Sequence, residues 1–206
     1  MHPNPIFRQT TDDKNLAFAR ARGFGTLSVN GGNGPLLAHV PFVLSDDGKT
    51  ATLHMMRSNP ISRALSQDLP AVIAVSGPDG YISPDWYGIE DQVPTWNYVA
   101  VHLRGSLSLL PQEGLRGVLD QLSAAFEARL APKPAWLADK MTDEALARMM
   151  RMIQPAQLEI GEVAGTWKLG QNKPEAARLG AAGKVPDGVG QELADLAALM
   201  AGAKPA

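Results

Sequence analysis

From Phe24 to Gly105, apolar side chains return at every second position in one segment after another, with Gly, Asn and Asp at the breaks. Period two is the spacing of a strand with one face in a core, so this half of the chain reads as sheet. In "LLAHVPFVL" the core parity is Leu36, Ala38, Val40, Phe42 and Leu44, which leaves His39 on the other side. In "ATLHMM", Leu53 and Met55 share one side and Thr52, His54 and Met56 the other. "FGTLSV" precedes them across the hairpin-type turn "NGGNGP", and "DDGK" makes a second turn. "AVIAVS" is apolar without a break, the pattern of a strand buried on both faces.

The last strand of this series, "VPTWNYVAVHLRG", carries the clearest chemistry. Val99, Val101 and Leu103 form its core side, and Trp96, Tyr98, Ala100, His102 and Arg104 the other. An indole, a phenol, an imidazole and a guanidinium on one face are costly to bury against oil and unusual to leave in plain water. That face is expected to touch something. His39, His54 and His102, three of the four histidines, fall on the non-core parity of their strands. Each can be a hydrogen-bonded side chain on a solvent-facing sheet, and a zinc site built from the three would lack the short ligand spacing such sites show.

Elsewhere the period is helical. Thr11 or Asp12 can cap a helix through about Arg22, which Gly23 stops. Leu115, Leu119, Leu122, Phe126 and Leu130 recur at spacings of three and four, giving one apolar stripe on a long helix. Thr142 can cap another, bearing Leu146, Met149, Met150 and Ile153 and ended by Pro155. "GPDGYISPDWYG" reads as a long loop in which Tyr81, Trp86 and Tyr87 hold the chain down. "AQLEIGEVAGTWKL" returns to strand, and "GQNKPEAARLG" leads to a last helix with Val189, Leu193, Leu196 and Met200 on one side. The tail "GAKPA" is expected to fray.

The 206 residues, 45% hydrophobic and 19% charged, suit one sizeable globular domain with helical additions. Cysteine is absent, which excludes disulfides, thiolate metal sites and cysteine nucleophiles. With 19 Lys and Arg against 21 Asp and Glu, the net charge of −2 offers no general attraction for a polyanion, so DNA binding is doubtful on charge. No apolar run is long enough to span a bilayer, and "MHPNPIFRQTTDDK" lacks the order of a signal peptide; the expected location is cytoplasmic, with no membrane partner.

"MMRSNPIS" is a local signal of a different kind. Asn59 followed by Pro60 is a good N-cap and first-turn pair, so a helix should start there and run to about Asp68. A strand-to-helix junction with Arg57, Ser58 and Asn59 can hold a phosphate, or can be a plain capped helix beside a surface arginine. No Walker or dinucleotide glycine pattern accompanies it.

Taken in order, "FGTL", "LLAHVPF", "LHMMRSNP", "GPDGYISPDWYG", "VPTWNYVAVHLRG" and "GTWKLGQNKPEAARLG" resemble the successive motifs of the PaiB-type FMN-binding negative transcriptional regulators, a family of the FMN-binding split-barrel group. The resemblance covers roughly Phe7 to Gly180. It implies a mainly β protein with flanking helices (α+β): a six-stranded, Greek-key split β-barrel, homodimeric, with FMN at the interface between chains. The FMN-binding domain would be residues 1–180 with a helical insert at about 111–155, and 181–206 a C-terminal helical extension.

Carried over residue by residue, the resemblance puts the FMN phosphate near Arg57, Ser58 and Asn59, and the ring against the strand of His39 and Pro41 and near Trp96, Asn97 and Tyr98. His54 joins this set from the neighbouring strand. Lys168, Gln171 and Asn172 resemble a motif that closes the pocket. Trp96 and Tyr98 can equally anchor a dimer interface. Two positions depart from the family pattern: Gly170 stands where a serine is usual, and Ile61 where an aromatic often follows the proline. The resemblance implies a flavoprotein regulator acting through a ligand or partner. An FMN-dependent oxidoreductase using NADH or NADPH is the alternative, and haem held by His39, His54 or His102 a minor one.

Overall fold

The structure, a computed structural model, describes residues 1–204; residues 205 and 206, to which the expected fraying extends, lie outside the described residues. Along the chain come α1 (Asp12–Arg22), β1 (Phe24–Gly31), β2 (Gly34–Leu44), β3 (Thr50–Met56), α2 (Pro60–Ala64), β4 (Leu69–Ile82), β5 (Thr95–Leu109), α3 (Leu115–Glu127), α4 (Asp143–Met150), β6 (Ile153–Lys168), α5 (Glu175–Ala182), β7 (Gly190–Gln191) and α6 (Leu193–Gly202). The antiparallel sheet runs β1-β2-β3-β6-β5-β4-β7, and β1 also pairs with β4, which closes six strands into a barrel. This is the expected α+β split barrel. Two compact units divide the chain: Leu16–Val75 with His102–Val163, and Met1–Asn15 with Ser76–Val101 and the chain from Ala164.

In the first unit the strand parities hold as read. Leu27, Phe42, Leu53, Ile73, Leu103, Leu107 and Leu158 are each at most 1% exposed, and each such burial is worth about 1.5–3 kcal/mol. Register brings them together, with Leu27 opposite Ile73, Phe42 opposite Leu53 and Leu53 opposite Ala156. At Gly105 a Cβ would lie 1.7 Å from the carbonyl oxygen of Glu159, so β5 and β6 approach as closely as they do only because that position has no side chain. Helix α3 lays Leu115, Val118 and Leu122 inward and packs on β2 and β3. The C-terminal carbonyls of α1 are capped by Arg129, whose Nη1 donates to Ala21 O at 2.7 Å and Nη2 to Arg20 O at 2.8 Å.

In the second unit Phe7, Ile82, Tyr87, Val99, Trp167, Val185, Leu196 and Met200 are buried. Arg178, 1% exposed, lies among them and donates through Nη1 to the carbonyls of Met200 and Ala201 at the end of α6. Tyr87 is held down as expected. Val189, expected on the buried side of the last helix, precedes that helix and is 65% exposed.

Four expectations are corrected. "GPDGYI" continues β4 rather than looping, because Asp79 pairs with Gln191, Gly80 with Gly190, and Tyr81 N–H donates to Val189 O at 2.8 Å. That partner strand is more than a hundred residues away, beyond any local pattern. Pro155 does not end a helix: α4 stops at Met150, and Pro155 lies within β6 opposite His54. The helix after Asn59 is a single turn, Pro60–Ala64, and stops well short of Asp68. In β4 burial alternates, with Ala71, Ile73 and Val75 inside and Val72 and Ala74 only half-buried, so that strand is not covered on both faces in the single chain.

Candidate functional site

The turn between β3 and α2 forms as the local sequence dictates. Asn59 Oδ1 accepts from Ile61 N–H at 2.8 Å and Pro60 occupies the first helical position, while Ile61 is wholly buried and anchors the turn. Arg57 is fixed by three acceptors: Nε donates to Arg151 O at 3.0 Å, Nη1 to Gln154 Oε1 at 3.2 Å and Nη2 to Gln112 Oε1 at 2.5 Å. A guanidinium has five N–H bonds, so two remain. The exposed Ser58 hydroxyl and the Asn59 amide nitrogen stand in the same turn. Gln112 and Gln154 were not foreseen, since nothing in the spacing of residues 57, 112 and 154 signals the contact.

The outer barrel surface in the same unit carries His39 and Pro41 on β2. The His39 ring stacks on Phe24 with centroids 6.4 Å apart and planes at 17°, and its Nδ1 lies 3.2 Å from Thr26 Oγ1. Phe24 is a second residue that the sequence did not single out; its place opposite Pro41 in the β1–β2 register is the signal that points to it. His54 and His102 are part-buried, with pKa values pushed below the usual imidazole range by burial, and the Nδ1 atom of each is buried without a hydrogen-bond partner. The histidines do not assemble a metal site: no group of three or more His, Cys, Asp or Glu side chains that could hold an ion occurs among the described residues.

The remaining expected residues lie in the other unit. Trp96 is 47% exposed and meets Tyr81 edge-to-face, with centroids 6.4 Å apart. Tyr98, on the same parity, is half-buried, and burial raises its pKa. Asn97 belongs to the core parity instead: it is 1% exposed and its Nδ2 donates to the sulfur of Met200 at 3.4 Å. Lys168 donates to Thr95 Oγ1 and sits 5.9 Å from the Phe7 ring centre; burial and the nearby Lys173 charge lower its pKa. Gln171 spends its amide on main chain, accepting from Leu169 N–H at 2.8 Å and donating to Trp167 O at 2.7 Å and Ile6 O at 3.4 Å. Asn172 is exposed. Gly170 has a φ of +79°, a conformation costly for serine, which explains glycine at that position.

The donor set at the β3–α2 turn fits a phosphate: residual N–H bonds on a permanently charged, pre-oriented guanidinium, a hydroxyl and an amide N–H. Comparison with known proteins speaks to the family and the fold. Residues 1–162 match the family model described as "Putative FMN-binding domain". The chain is 29% identical over 177 residues to the "Protease synthase and sporulation protein PAI 2" of Bacillus subtilis, covering 85% of this chain and 84% of that one. Among solved structures it resembles the FAD and heme binding protein from Mycobacterium smegmatis, with a TM-score of 0.56, 18% identity and coverage of 79% and 73% of the two chains. It also resembles the conserved hypothetical protein Rv2991 from Mycobacterium tuberculosis, with a TM-score of 0.58, 12% identity and coverage of 84% and 94%. At these identities the two structures establish the fold alone.

Proposed function

The chain belongs to this FMN-binding family, as a split-barrel protein, and from that premise we propose that it is a flavoprotein regulator whose FMN phosphate is held by Arg57, Ser58 and Asn59. The observation that carries the site is the fixed Arg57 guanidinium with two N–H bonds left over. The ring side of the ligand is proposed to lie against the outer barrel surface of His39 and Pro41, on the strand that pairs with β3. When bound, FMN supplies hydride or single-electron chemistry, so the protein's share is to bind, orient and exclude water. Trp96, Tyr98 and Lys168 are proposed as further contacts.

Titration of the apoprotein with FMN and with riboflavin tests the phosphate site. FMN should bind more tightly than riboflavin, and Arg57→Ala should abolish the difference; equal affinities in the unaltered protein would move the phosphate elsewhere.

The FMN-binding domain is proposed to span residues 1–180, with the helical insert and the C-terminal extension as additions. We further propose a homodimer in the cytoplasm. Phe24, 54% exposed, and Leu37, 62% exposed, leave apolar area on the outer barrel face that a second copy would cover. Leu37→Asp should shift the sedimentation profile from dimer to monomer.

Regulation through a ligand or partner follows from the likeness to the PaiB-type regulators and from the net charge of −2. Salt-sensitive, competitor-resistant binding to promoter DNA would overturn the indirect route. Rapid bleaching of the flavin by NADH or NADPH would replace the regulatory reading with an oxidoreductase.

A further inference from the structure

We propose that the helical insert carries a second small-molecule site, independent of FMN, for an arylalkyl amine: an aromatic body with an ammonium group on a short chain. Helix α3 has two faces. Leu115, Val118 and Leu122 point into the barrel unit, while Arg116, Asp120 and Ala124, four residues apart, form an outward stripe that Ala128, just past the helix end, continues. Small side chains at Ala124 and Ala128 leave room, and the segment from Ala135 to Asp139 lines with them a half-open cavity of about 510 Å³. That volume lies in the range of small-molecule pockets, and the lining is mostly apolar, as theirs is.

The cavity wall is built in advance. Glu127 accepts from the backbone N–H of Trp136 at 2.8 Å and from the Lys133 ammonium, so one carboxylate staples the loop to the end of α3. Both contacts hold the Glu127 pKa below the usual carboxylate range. Trp136 remains 36% exposed and Leu137 59% exposed, large apolar side chains without the cover their size would ordinarily find. A wall fixed without ligand lowers the ordering cost of binding.

Charge selects the ligand. Arg116 Nε binds both oxygens of Asp120, at 3.0 and 2.9 Å, so those two groups cancel. Lys133 is spent on Glu127. Asp139 lines the cavity and makes no ion pair among the described residues, so the lining residues carry one net negative charge. Lys140, next in sequence, stands outside the lining and acts on Glu127. The Trp136 ring favours a cation further, since an ammonium is drawn to an indole face.

The test uses the full chain saturated with FMN and follows the Trp136 indole N–H resonance by NMR during titration with phenethylamine and with 3-phenylpropionate. Phenethylamine should shift that resonance saturably, with the carboxylate at least about tenfold weaker. Asp139→Asn should remove the discrimination, and Ala124→Trp, which fills the cavity from an exposed helix position, should abolish both responses. No saturable shift, equal response to amine and acid, or a response that survives Ala124→Trp would each overturn the proposal. A Trp136 shift that follows protein concentration without ligand would also overturn it, by showing a second copy in the groove. Failure of FMN binding reads out separately, in the flavin absorbance.

Discussion

The indole Nε1 of Trp167 donates to the buried Oδ1 of Asn15 at 2.8 Å, joining residues 152 apart in sequence. At Gly165 a Cβ would lie 2.1 Å from the same oxygen, so the neighbouring strand position must stay bare for the contact to exist. Asn15→Leu should leave the indole N–H unsatisfied and destabilise the fold by about 1–3 kcal/mol, measured by urea unfolding. Gly165→Ala should cost at least as much through the clash.

Arg57 is predicted to be the principal phosphate ligand. Arg57→Ala removes a charge-assisted contact and should weaken FMN about ten- to a hundredfold, read by quenching of flavin fluorescence. Gln112→Ala frees one of the three groups that aim the guanidinium, so it should weaken FMN less and leave riboflavin binding unchanged.

Arg178 holds the C-terminal helix by its last carbonyls. Arg178→Met keeps the apolar stem and deletes these bonds, and hydrogen bonds to a charged group are worth about 1.5–3 kcal/mol. Hydrogen exchange should show α6 opening at lower free energy in the variant, with amides of the barrel strands β1 to β3 unaffected.

Acid should destabilise the protein through His54 and His102. Both are held by burial below their unfolded pKa of about 6.5, so below that pH the unfolded chain binds protons that the folded chain refuses. The stability they contribute is complete above pH about 6.5 and drains away as pH falls toward the folded values. His54→Gln should flatten this limb of the stability-against-pH curve between about pH 6.5 and 5; an unchanged slope would exclude His54 as a source.

The barrel strands were legible because period two and burial on one face are the same fact seen twice. Leu27, Phe42, Leu53 and Leu103 sit in the core where alternation puts them. The Asn59–Pro60 cap was legible because it is local, whereas the length of its helix was not. Asn97 shows the limit of a carried-over motif: its neighbours Trp96 and Tyr98 face outward, and strand parity alone turns it toward Met200.

By itself the sequence determined the α+β class, the faces of the strands, the capped turns and the motif order of an FMN-binding family, all of which depend on residues near one another in the chain. Only the tertiary structure decided that Pro78 and Gly80 lie in a strand, that Gln112 and Gln154 aim Arg57, and that Arg178 is buried under the last helix. Each of these rests on a hydrogen-bond partner distant along the chain, and a partner of that kind leaves no period, spacing or composition to read.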